Sequence, residues 1–113
     1  MDKFRPIATL KKYTTFGEHL RILREDAGQT LKEVAGNISI DISLLAKIER
    51  NERQPTKQLI KSVAVYFKVD EKKLQNEFLS DQIAYKILDE EADLNILKVA
   101  EKKVSYLKTL RNE

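Results

Sequence analysis

The run from Thr30 to Asn51 constrains this chain more than any other stretch. Its apolar positions are Leu31, Val34, Ala35, Ile38, Ile40, Leu45 and Ile48. From 31 to 38 they recur at helical spacing, i, i+3, i+4, i+7, and 45 to 48 takes up the same beat. The beat breaks at Ser39-Ile40-Asp41. The pattern predicts two short helices joined by a tight turn, each burying one face. Thr30 and Glu33 form a capping box, a hydroxyl at the N-cap and a carboxylate three residues on. Asp41, or else Ser39, caps the second helix, which ends near Arg50. Asn51 suits the left-handed stop that follows. Ala35 is small where the two helices cross, so their backbones can approach.

The flanks read the same way. Thr15 and Glu18 make another capping box, opening a helix to about Ala27. Phe16, Leu20, Leu23 and Ala27 form its inner face, with Arg21, Arg24 and Glu25 toward solvent and Gly28 as the stop. His19 reads as a surface residue rather than a ligand. Beyond the loop Glu52-Arg53-Gln54-Pro55, Thr56 caps a fourth helix. Its inner face is Leu59 or Ile60, Val63, Ala64 and Phe67, and Val69 packs after it. Asp70 caps a fifth helix from Glu71 to about Leu79, with Leu74 and Phe78 inward. Residues 1–14 carry Lys3, Arg5, Lys11 and Lys12 against Asp2. They read as a basic arm for a phosphate backbone or as a loosely packed terminus.

Composition excludes several function classes. With 113 residues, 42% of them hydrophobic, one domain with an appended helical piece is expected. There is no Cys and one His, so neither a thiolate chemistry nor a His-based metal centre is expected. No cofactor is implied. No apolar run approaches ~18 residues, and the N-terminus lacks a signal-peptide core. A cytoplasmic protein without membrane contact is expected. Glycine and proline are absent after Pro55, which allows long helices in the second half. The net charge of +3 permits a nucleic-acid partner without arguing for one. Acidic neighbours such as Glu90-Glu91 read as solvated helix-terminal charge rather than acid/base catalysts, so an enzyme is not expected.

The series Phe16-Gly17, Leu20, Leu23-Arg24, Thr30, Val34-Ala35, Ile40, Leu45, Ile48-Glu49-Arg50, Pro55, Val63-Ala64, Phe67 and Val69 resembles the Cro/cI-type (XRE-type) helix-turn-helix regulators. The resemblance covers roughly residues 16–79. It implies an all-α fold, a five-helix lambda-repressor-like DNA-binding bundle, here with a C-terminal helical extension. It also implies a pairing of Arg24 with Glu49 and binding to double-stranded operator DNA, usually as a dimer.

A helix that enters the major groove by its N-terminal end presents first-turn side chains to base edges. The carried-over motif implies Ile42, Ser43, Leu44 and Lys47 as the base-reading positions. Thr30 and Lys32, with Arg50, Arg53 and Lys57, are the implied phosphate contacts. The chain departs from the family where Leu31 replaces a frequent Gln and Ser39 a frequent Gly. Its reading face is unusually apolar, and Asp41 adds a negative charge there.

Residues 80–113 lie beyond the resemblance. Ser80-Asp81 reads as the start of a helix with Ile83, Ala84, Ile87 and Leu88 on one face. Asp89-Glu90-Glu91-Ala92-Asp93 follows, then a last helix from about Leu94 to Leu110. Leu97, Ala100, Val104 and Leu107 make one stripe; Ile96, Val99, Tyr106 and Leu110 make a second. The segment 81–93 holds five acidic side chains against Lys86, and 98–111 five basic ones against Glu101. These helices are expected to form a hairpin that dimerises with its copy through Leu97, Ala100, Val104, Leu107, Tyr106 and Leu110. The expected domains are therefore an arm at 1–14, a DNA-binding domain at 15–79 and a dimerisation extension at 80–113. The expected function is transcriptional regulation by a homodimer on an operator; restriction–modification controllers and phage-type repressors share this build. The alternative is an antitoxin-like interaction module that grips another protein with its tail.

Overall fold

The computed structural model describes residues 14–111. They form six α-helices and no described strand: α1 (Phe16–Asp26), α2 (Leu31–Asn37), α3 (Ile42–Glu49), α4 (Lys57–Phe67), α5 (Glu71–Asp89) and α6 (Ile96–Leu110). The basic stretch with Lys3, Arg5, Lys11 and Lys12 lies outside the described residues. Two compact units divide at Asp81–Gln82.

The first unit closes on Phe16 and Leu20 of α1, Val34 and Ala35 of α2, and Leu45 and Ile48 of α3. Leu59, Ile60, Val63 and Ala64 of α4 and Leu74 of α5 complete the core. Leu59 and Ile60 are therefore both inward. Phe78 meets Phe16 edge-on, ring centroids 6.3 Å apart, a favoured aromatic geometry. Ala27, expected inside, is exposed at the end of α1.

Local chemistry starts each of the first four helices. The hydroxyls of Thr15, Thr30 and Thr56 accept from the amides of Glu18, Glu33 and Leu59 at 3.2, 3.0 and 3.1 Å. Asp41 accepts from the amides of Ser43 and Leu44 at 3.0 and 3.3 Å. Each such cap contributes about 1 kcal/mol. The stops of α1 to α5 share one device, a residue at positive φ followed by a six-to-one hydrogen bond. Gly28 (φ 68°), Ser39 (61°), Asn51 (64°), Lys68 (57°) and Glu91 (51°) take it. The amides of Gln29, Ile40, Glu52, Val69 and Ala92 close these turns on the carbonyls of Arg24, Ala35, Lys47, Ala64 and Ile87.

The fifth helix does not end near Leu79. Ser80 and Asp81 lie within α5 rather than opening a new helix. Nothing breaks the helix there. Ser80 Oγ donates back to the Glu77 carbonyl at 2.7 Å, inside the same helix. The Asp81 carboxylate accepts the Phe16 amide at 2.7 Å, so it caps α1 instead of its own helix. Burial, with Glu77 and Glu18 close by, raises the Asp81 pKa.

His19 is half-buried beside this junction. Its Nδ1 lies 2.8 Å from Glu77 Oε1, and Thr14 Oγ1 donates to the other Glu77 oxygen at 3.1 Å. The hydrogen bond to Glu77 raises the imidazole pKa above 6.5 although burial opposes it. A raised folded-state pKa means the contribution is full below 6.5 and fades as pH rises through the folded value. His19→Gln should therefore flatten the fall in stability on crossing neutral pH, read by urea unfolding at a series of pH values. An unchanged pH profile in the variant would remove His19 from the account.

The second unit comprises the end of α5 and α6. Every residue from Asp93 to Arg111 is exposed, and Tyr85, Ile87 and Ala92 are half-buried. The expected hairpin seam is not closed within one chain, because α6 buries no residue. The ion pair Lys86–Glu90 (3.2 Å) is local to one turn. Among the described residues, no helix is long and apolar enough to cross a membrane.

Candidate nucleic-acid interface

α3 divides cleanly into two faces. Leu45, Ile48 and Glu49 are buried, while Ile42, Ser43 and Lys47 are exposed. Leu44, grouped with them from the sequence, is half-buried and packs against the core. At positions 44 and 45 consecutive side chains are 100° apart, so a core wide enough for Leu45 takes part of Leu44 as well. The accessible groups of this face are one aliphatic chain, one hydroxyl and one ammonium.

Ser43 is already engaged. Its hydroxyl donates to Asp41 in a short hydrogen bond, leaving the oxygen lone pairs as acceptors. That bond is the largest cause lowering the Asp41 pKa, followed by the Leu44 and Ser43 amides, with Lys47 assisting. Asp41 is thus a cap whose charge is offset by the start of α3, not an unattached negative charge on the reading face.

The phosphate candidates differ in readiness. Lys32, Arg53 and Lys57 are exposed. Thr30 uses its hydroxyl on the Glu33 amide, and its own amide donates to Glu33 Oε1 at 2.8 Å; both are committed to the capping box. Arg50 is forked onto Glu52, Nε at 2.9 Å and Nη2 at 3.1 Å. The same contact lowers the Glu52 pKa. Such an exposed pair is weak in water and easily exchanged for another anion.

One brace holds α3 in place, and a second ties α2 to α4 beside it. Arg24, placed toward solvent by helix periodicity, lies against Glu49 at the end of α3, in the pairing that the resemblance implies. Its Nε and Nη2 donate to the two carboxylate oxygens at 2.7 and 3.0 Å, and Nη1 donates to the Gln29 carbonyl at 2.9 Å. Only 12% of the Arg24 side chain and 5% of the Glu49 side chain stay exposed, so this ion pair is shielded. Glu49 holds Arg24 further toward its charged form. The second brace was invisible in the sequence. Asn37 Nδ2 donates to the Tyr66 hydroxyl at 3.0 Å, and that hydroxyl donates to Gln29 Oε1. It joins the α1–α2 link, the end of α2 and α4. No short-range pattern links positions 29, 37 and 66.

The helix-turn-helix domain family model matches residues 15–76, more than half of the chain. No curated protein matches the chain. The matched span takes in α1 to α4 and the start of α5, with the half-exposed helix α3 following α2 across the Ser39 turn. The chain belongs to the helix-turn-helix domain family, whose domains bind DNA.

Proposed function

We propose that this protein is a transcriptional regulator that occupies operator DNA as a homodimer, with α3 in the major groove. The observation that carries the reading is the division of α3: Ile42, Ser43 and Lys47 exposed opposite buried Leu45 and Ile48, in a helix-turn-helix chain. Lys47 is suited to guanine O6 and N7, Ser43, through its acceptor lone pairs, to an amino group on a base edge, and Ile42 to a thymine methyl. Lys32, Arg53 and Lys57 meet the backbone. Arg50 joins them by exchanging Glu52 for a phosphate, a charge-assisted contact of the same geometry. Two copies place two reading helices about one DNA turn apart, ~34 Å, on a roughly palindromic site. Such occupancy regulates by blocking or recruiting polymerase, as a restriction–modification controller or a phage-type repressor does.

The test is selection of bound duplexes from random DNA, followed by affinity measurements over a range of salt. Lys47→Ala should weaken binding to the selected site by about 5- to 150-fold, equivalent to 1–3 kcal/mol, and barely alter non-specific binding. Lys32→Ala, Arg53→Ala and Lys57→Ala should weaken all sequences alike and lower the salt slope by about 1 each. A uniform loss across sequences for Lys47→Ala removes α3 as the reader. The apolar surface of α6 favours a second reading, an antitoxin-like module that grips another protein. A folded protein that binds no duplex from the pool supports that one instead.

A further inference from the structure

The exposed face of α6 has an internal order. Leu97, Ala100, Val104 and Leu107 follow 3-4-3 spacing, the seam of a two-helix coiled coil, and all four are exposed. Charge is distributed unevenly along the same segment. Asp89, Glu90, Glu91 and Asp93 lead into the helix, and Lys102, Lys103, Lys108 and Arg111 fill its second half. A parallel pair of such helices lays acid on acid at one end and base on base at the other. An antiparallel pair sets each acidic approach against the basic end of its copy.

One register satisfies both patterns. In an antiparallel pair, seam positions of opposite type face each other. Leu97 then meets Leu107 of the second copy, Ala100 meets Val104, and the two-fold axis passes near residue 102. The same register brings the acidic residues that precede Ile96 toward the basic end of the second copy's helix at both ends. Two side chains are unfavourable because they face their own copies near the axis, Glu101 on one edge of the seam and Lys103 on the other. Lys103 lies at the edge of the seam, where its stem covers apolar surface and its ammonium reaches water.

We propose that α6 is an antiparallel pairing helix, covered by α6 of a second copy of this chain in the register that sets Leu97 against Leu107. This rests on the dimer reading above and adds its orientation.

The absence of cysteine makes the full chain a clean background for the test. The parent should sediment as a dimer at micromolar concentration. On oxidation, the double variant Leu97→Cys/Leu107→Cys should convert to covalent dimer. Either single variant should not, because its two thiols lie ten residues apart along the helices, roughly 15 Å, beyond disulfide reach. Ala100→Cys/Val104→Cys repeats the test at the middle of the helix with small changes of side-chain size, so a misfolded first variant does not end it. Covalent dimer from Leu97→Cys or Leu107→Cys alone overturns the antiparallel orientation. A parent dimer in which neither double variant closes overturns the register. A monomeric parent overturns the dimer reading too, whereas DNA binding is scored separately through Lys47.

Discussion

Glu49→Ala should destabilise the helix-turn-helix domain by about 3–5 kcal/mol. That is comparable to the whole stability of a unit of this size, since domains hold roughly 0.05–0.15 kcal/mol per residue. The size follows from burial. Removing Glu49 leaves the Arg24 guanidinium shielded without its forked partner, with the Gln29 carbonyl and the Glu25 carboxylate, 4.0 Å from Nη2, as its remaining described partners. Arg24→Ala should cost a similar amount, stranding Glu49 and taking the Nη1 donor from the Gln29 carbonyl. The double replacement Arg24→Met/Glu49→Leu should recover much of the loss, because the desolvation penalty leaves with the charges. Urea unfolding of the four proteins, followed by far-UV circular dichroism, gives the coupling energy. A coupling near zero would reduce the fork to a bystander. The position matters to function as well as stability. Glu49 ends α3 and Arg24 belongs to α1, so the fork fixes how α3, the proposed reading helix, sits against α1.

The starts of these helices were legible because their determinants are local. Thr15 with Glu18 and Thr30 with Glu33 lie three residues apart, and one turn of helix brings them together whatever the tertiary structure does. The stops were only partly legible. Gly28 and Asn51 are residue types that favour positive φ, whereas Lys68 and Glu91 adopt it without any such preference. What sets those two is the closing hydrogen bond of the following residue onto the preceding turn, Val69 onto Ala64 and Ala92 onto Ile87. Ser80-Asp81 misled for the opposite reason. A hydroxyl beside a carboxylate resembles a cap, but Asp81 serves the Phe16 amide 65 residues away, and no local pattern can register that.

The candidate reading face was legible at the level of the face and not of the atom. Periodicity separates Leu45 and Ile48 from Ile42, Ser43 and Lys47. It does not show that Ser43 donates to Asp41, that Leu44 is drawn into the core, or that Arg50 is held by Glu52. These contacts narrow the accessible hydrogen-bond donors of the face to the Lys47 ammonium. On the function proposed above, discrimination would come from methyl contacts, half-site spacing and duplex shape more than from a dense set of base-specific bonds.

The three glycines allow one substitution to be tested for opposite outcomes, and Gly17→Ala should be the damaging one. A Cβ at Gly17 falls 2.2 Å from the Ile48 carbonyl oxygen, 2.6 Å from Asn51 Oδ1 and 3.1 Å from the Glu49 carbonyl oxygen. The first and last are backbone atoms at the end of α3, so a rotamer change cannot relieve the clash. Gly→Ala inside a helix ordinarily gains about 1 kcal/mol from propensity. Overpacking costs typically 1–3 kcal/mol and more where backbone must move, so the clash decides the sign. Gly17→Ala should therefore lower stability by about 2 kcal/mol or more. It should also weaken DNA binding beyond that loss, because relief comes from shifting α3 away from α1. Gly36→Ala is the internal control. It lies in α2 with nothing within 4 Å of the added methyl, and it should raise stability by about 0.5–1 kcal/mol. Gly28→Ala stands between them, with open space around it but a φ of +68° that an L side chain adopts at a cost of about 1 kcal/mol. Chemical denaturation of the three variants ranks them. A Gly17→Ala protein as stable as Gly36→Ala would mean that α1 and the end of α3 do not approach this closely, and the pose of the reading helix would have to be redrawn.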